Sequence, residues 1–195
     1  MLVRDSERGR SGPRAASRAA RRAELWQYGV VGQVAWLCAV LGGAHGRALP
    51  GLLTAAGIVC WHLWRAPQPT REARVVAIVA IGGWLWDSAL AAAGWLVYPG
   101  VAAAPAVAPA WIAALWAIFA VQLNVLFVWL RGRWVLAMLI GACAGPLSFR
   151  AGASLGAVRF AHPWQALAML AAGWSLLLPL AVAIARRWDG VRPRA

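Results

Sequence analysis

Lysine is absent from this chain, only six residues are acidic, and no stretch free of apolar segments is longer than the first 24 residues. Without lysine there is no P-loop, and no HExxH or glycine-rich nucleotide fingerprint occurs either. Without a long polar stretch there is no room for a large soluble catalytic domain. Charged residues make up 13% of the 195, about half the share that a soluble domain carries, so a soluble helical bundle could not furnish its helices with a charged outer face. Cysteine is scarce as well. Cys38, Cys60 and Cys143 all fall inside apolar runs, and Cys38 and Cys60 differ in depth by about 12 Å at helical rise, too far for a disulfide. They read as small packing residues.

What fills the chain instead is apolar: 62% of the residues are hydrophobic. Six runs stand out, Trp26–Ala44, Ala48–Trp64, Val75–Tyr98, Ala110–Leu130, Trp134–Ala153 and Trp164–Ala185. Each is near the roughly 20 residues that a helix needs to cross about 30 Å of hydrocarbon. Long unbroken runs of Leu, Ala and Val argue for helices rather than barrel strands. The expected fold is therefore all-α, a polytopic transmembrane bundle of six spans over residues 25–187. Residues 1–24 carry seven arginines among Gly, Ser and Pro and read as a disordered tail, and residues 188–195 form a second, short one. The first apolar run is too long for the h-region of a cleaved signal, about 7–15 residues, so it counts as a retained span.

Orientation follows from the arginines. Sixteen of the nineteen lie on the side of the N-terminus, in the tail, the Arg65–Arg74 loop, Arg131-Gly-Arg133 and the end of the chain; only Arg47, Arg150 and Arg159 lie on the other. The positive-inside rule puts both termini in the cytoplasm. Nine of the fourteen tryptophans fall near proposed helix ends, where an amphipathic indole prefers to sit.

Four stretches taken in order carry a resemblance: Trp36–Gly46, Asp87-Ser88, Ala108-Pro109-Ala110-Trp111 leading to Leu115-Trp116 and Phe119-Ala120, and Gly145-Pro146-Leu147-Ser148-Phe149 followed by Ala151-Gly152-Ala153 and Leu155–Val158. Together they resemble the bacterial inner-membrane family called domain of unknown function 2878, over roughly residues 26–187. The resemblance implies no established reaction. It implies a bacterial inner-membrane location and a setting among genes of membrane-lipid modification, with membrane lipids and other lipid-modification proteins as partners.

Asp87 is the sharpest single feature, twelve residues into the third run and so about 18 Å deep. A charge there is expensive. Its helical face reads Ala80, Gly83, Asp87, Ala91, Gly94, small residues that let another helix approach, so Asp87 should point into the bundle. In the fourth run Gln122 and Asn124 differ by about 200° around a helix, and Asn124, continuing the strip Ala113, Ala117, Ala120, is the one expected inside. Gln33 and His62 lie in the same half of the bundle, so Asp87, Asn124, Gln33 and His62 form a candidate polar core. On the other face His45, Arg47, Arg150, Arg159 and His162 have no acidic neighbour, which suits either snorkelling to headgroups or a site for an anionic ligand or lipid phosphate. His45 and His162 lack a carboxylate or thiolate partner there, so no metal site is expected, and no cofactor either. Pro146, after Gly141-x-x-x-Gly145, is expected to kink or break the fifth span, and Pro179 to bend the sixth. The arginine-rich tail meets anionic lipid before nucleic acid. Three functions remain: an accessory or scaffold in lipid modification, a small carrier or channel using Asp87, or an intramembrane lipid-modifying enzyme.

Overall fold

Proline begins three helices and glycine follows three. Pro50, Pro69 and Pro163 stand in the first positions of α2 (Leu49–Arg65), α3 (Pro69–Ala92) and α6 (Pro163–Arg187), where a missing N–H goes unnoticed. Gly46, Gly94 and Gly156, with φ of 68°, 76° and 82°, take the left-handed turn after α1 (Arg8–Ala44), α3 and α5 (Trp134–Ser154). In each turn the next N–H reaches back to a carbonyl of the helix: Arg47 to Gly42 at 2.8 Å, Trp95 to Leu90 at 3.0 Å, Ala157 to Gly152 at 3.0 Å. The remaining helix is α4 (Ala110–Leu123). The computed structural model describes residues 8–99 and 107–192, with side chains from Ser17 onward.

Four of these helices are long and apolar enough to cross a membrane, with apolar segments of 28, 24, 21 and 25 residues in α1, α3, α5 and α6. Their outward faces are apolar too: Trp26, Val30, Val34, Leu37 and Leu41 make an exposed stripe along α1, and Val135, Leu139 and Leu147 lie exposed on α5. Such faces belong in hydrocarbon rather than water. Helix α4 is the opposite case. Its buried residues, among them Trp111, Ile112, Trp116, Ile118 and Val121, point in every direction, as in a helix surrounded by others. It packs against α1, α2, α3 and α6, while α5 packs mainly on α6. Added Cβ atoms on Gly141 and Gly145 of α5 would run into the backbone and indole of Trp174, so the two glycines let these helices meet closely.

Several boundaries differ from those the apolar runs suggest. The third helix begins at Pro69 and stops at Ala92, where Gly94 turns the chain into β1 (Leu96–Val97). This short strand pairs antiparallel with β2 (Arg159–Phe160), Leu96 opposite Phe160 and Val97 opposite Arg159, tying two connections together at one end of the bundle. The fourth helix has 14 residues, about 21 Å, and ends at Leu123 rather than Leu130. Asn124 stops it, because its side chain and carbonyl are held by other segments; turns and a single 3-10 turn, Val128–Leu130, follow. The tail expected to be disordered over 1–24 is helical from Arg8 on, and residues 1–7 lie outside the described ones. Alanine and arginine are strong helix formers, and an apolar helix already nucleated extends into them at the cost of propagation alone. Pro146 and Pro179 both sit within unbroken helices, so of the two possibilities left open for the fifth run, continuous or broken, the chain takes the continuous one.

Candidate functional site

Among the described residues, Glu72 and Asp87 are the two carboxyls buried in helices, 0% and 1% exposed, and each organises a polar site. Glu72 lies in the first turn of α3, at the end of the bundle where α2 finishes and α4 and α6 end. His62, on the last turn of α2, turns Nε2 to Glu72 Oε2 at 3.0 Å, and its Nδ1 then accepts the Tyr28 hydroxyl of α1 at 2.9 Å. Oε1 receives Asn124 Nδ2 at 2.7 Å and the Gly190 N–H at 2.6 Å. Arg131 Nη2 donates to Asn124 Oδ1 at 2.6 Å and pairs with Asp189 Oδ2 at 2.8 Å. Gly190 also accepts from the Gln68 N–H at 3.0 Å. The chain after α6 is thereby bonded onto the start of α3. Both oxygens of Glu72 are used, and the network joins α1, α2, α3, the end of α4 and the segment after α6.

Asp87 is held differently. It lies five residues before the end of α3, level with the middle of α4, where Trp116 Nε1 donates to its Oδ2 at 2.7 Å. A Cβ on Gly83 would fall within the Trp116 ring, so the small-residue face of α3 is what admits this indole. Trp116 in turn stacks on Trp174 of α6, centroids 4.7 Å apart, and Phe119 stands edge-on to both. The second oxygen, Oδ1, has no partner among the described residues, nor has Trp174 Nε1. Both residues line a cavity of about 190 Å³ whose other walls include Gln33 and Trp36 of α1, Gln122 of α4 and Ser148 of α5. Gln33 and Ser148 are exposed at its rim. Helix α1 packs on α2 and α4 while α5 packs mainly on α6, and the exposed Gln33 and Ser148 bring the cavity's rim to the outer sides of α1 and α5. Tyr98 is buried at the β1 end against Trp111, and burial first, then the nearby Asp87 carboxyl, holds its phenol well above the usual range.

The four polar-core candidates thus divide between two places. His62 and Asn124 belong to the Glu72 network, and Gln33 lies with Asp87 on the cavity. Gln122, set aside in the sequence, also lines the cavity and fills the space beside Gly32. The basic residues at the other end are not drawn into one constellation. His45 is exposed and bonds to the Leu41 carbonyl of its own helix at 2.8 Å. Arg47, Arg150 and Arg159 are exposed and, among the described residues, in no ion pair, while His162 borders a separate cavity with Gln165 and Met169. No cluster of three metal-binding side chains occurs among the described residues. Tyr28, Glu72, Arg131 and Asp189 escaped the sequence reading. Pro69 followed three residues on by an acid is a helix-start signal, and it would have placed Glu72 in a first turn rather than in a loop.

Residues 26–180 match the model of a family described as "Protein of unknown function (DUF2878)". No curated protein and no solved structure matches the chain.

Proposed function

The chain belongs to this family of unknown function, and from that premise we propose that it is a multi-pass protein of the bacterial inner membrane. Its proposed role is to take an amphiphile from the bilayer into the Asp87 cavity, as an accessory of membrane-lipid modification. In this reading α2 and α4 complete six spans, the short α4 being extended by residues 124–130, and the excess of arginine at the Glu72 end puts both termini in the cytoplasm. Membrane lipids, and other proteins that modify them, are the partners.

One observation carries the proposal. A buried carboxyl that lines a cavity walled by aromatic rings has, among the described residues, an oxygen without a partner, and the cavity's exposed rim residues Gln33 and Ser148 stand on two helices with apolar outer faces. An unpaired buried oxygen is costly, and a ligand that donates a hydrogen bond to it recovers that cost. The aromatic walls suit an apolar chain, so the ligand class is a long-chain molecule with a hydroxyl or amine near one end. Comparing the membrane lipids of a deletion strain with those of strains carrying wild-type or Asp87→Asn protein tests the role. A profile altered by deletion, restored by wild type and not by Asp87→Asn, supports it. Lipids unchanged by deletion, under envelope stress as well, count against it.

A further inference from the structure

Another cavity, of about 310 Å³, lies at the Glu72 end, and the described residues that line it are all charged: Arg71, Arg131, Arg186, Arg187, Arg192 and Asp189. We propose that these arginines form a binding site for a phosphate-bearing anion, whether a lipid headgroup or a soluble phosphate compound. The proposal does not rest on the Asp87 reading.

Among the described residues five guanidiniums face one carboxylate here, and that carboxylate is already engaged. Asp189 Oδ2 pairs with Arg131, and Oδ1 accepts the N–H groups of Val191 and Arg192 at 3.0 and 2.7 Å. Glu72, which follows Arg71 in the chain, is buried and already bonded to His62, Asn124 and Gly190. Two of the arginines are fixed in advance. Arg131 is held by Asn124 Oδ1 and Asp189, and Arg192 Nη1 donates to the Asn124 carbonyl at 3.0 Å. Guanidinium groups so anchored keep further N–H donors, in a planar fork, for a tetrahedral phosphate whose several oxygens each accept hydrogen bonds.

The arginines come from separate parts of the chain: the start of α3, the connection before α5, the end of α6 and the segment beyond it. At the end of α6 the helix dipole favours Arg186 and Arg187, but no such reason covers Arg71. It stands in the first turn of α3, where the dipole opposes a cation. Convergence of like charges on one cavity is unfavourable until an anion enters it. A preference for arginine on one membrane face would scatter the residues without gathering them round a cavity anchored to the buried network.

The test uses the full chain in nanodiscs of phosphatidylcholine, with and without phosphatidylglycerol, and follows the unfolding temperature as pyrophosphate is added against chloride at equal ionic strength. Arg71→Gln/Arg186→Gln removes two exposed side chains from the site; Arg150→Gln/Arg159→Gln removes the same charge from the opposite end. A ligand bound only by the folded protein raises the unfolding temperature with concentration. The expected result is such a rise in the wild type and in the Arg150/Arg159 variant, with affinity about tenfold or more weaker in the Arg71/Arg186 variant. A response to pyrophosphate in phosphatidylcholine identifies a soluble phosphate compound, and a response confined to phosphatidylglycerol identifies a headgroup. No response to either anion, or equal weakening in both double variants, overturns the proposal.

Discussion

Glu72 and Asp87 are carboxyls on one helix, both buried, and they are treated in opposite ways. Glu72 meets three N–H donors and has nothing left to offer. Asp87 meets one indole and keeps an oxygen facing no described partner. A fully bonded charge ties helix ends into one arrangement, and its removal should be felt as instability. A half-bonded one is tolerated where something else completes it, and its removal should be felt mainly as lost function.

The largest effect that could break this contrast is Glu72→Ala. It strands His62, Asn124 and the Gly190 N–H together, and we expect a loss of about 3 kcal/mol or more in reversible unfolding in detergent. A change below ~1 kcal/mol would mean the network contributes little. Next comes Gly83→Leu, whose side chain must displace the Trp116 indole. About 1–3 kcal/mol of destabilisation is expected, with a change in tryptophan near-ultraviolet circular dichroism as the Trp116–Trp174 stack shifts. Tyr28→Phe sharpens the account of Glu72 at its outer edge, removing only the hydroxyl on His62 Nδ1, and should cost about 1 kcal/mol in the same assay. Smallest is Asp87→Asn. The amide oxygen can still accept from Trp116, so stability should change by less than ~1 kcal/mol while ligand-dependent properties are lost. If Asp87→Asn were as destabilising as Glu72→Ala, the two carboxyls would be doing the same job.

The contrast also explains what the sequence could and could not reveal. Asp87 is legible because a lone carboxyl inside an unbroken apolar run is costly and must either be hydrogen-bonded within the bundle or serve a function. The helices are legible for the same reason, since 20 apolar residues in a row leave few alternatives. Glu72 is hidden because it sits among Arg65, Arg71 and Arg74, and charge there reads as a solvated loop. Its partners are hidden too, since Tyr28, Asn124 and Gly190 are brought to it from up to 118 positions away along the chain. Helical spacing treats Gln122 and Asn124 as two faces of one helix, but the helix stops between them, so both turn towards polar sites. The two-residue strands β1 and β2 are too short to leave a period at all.

In the proposed function the Asp87 cavity receives an amphiphile from the bilayer between α1 and α5. The most direct measurement is photocrosslinking of the full chain in nanodiscs with a long-chain alcohol carrying a diazirine on its chain, followed by peptide mapping. Labelling is expected to concentrate on the segments bearing Gln33, Trp116 and Ser148-Phe149. That labelling should be strongly reduced by Asp87→Asn and by Gln33→Trp, which fills the rim. Labelling spread evenly over the exposed faces of α1 and α5, and unchanged by either substitution, would contradict it.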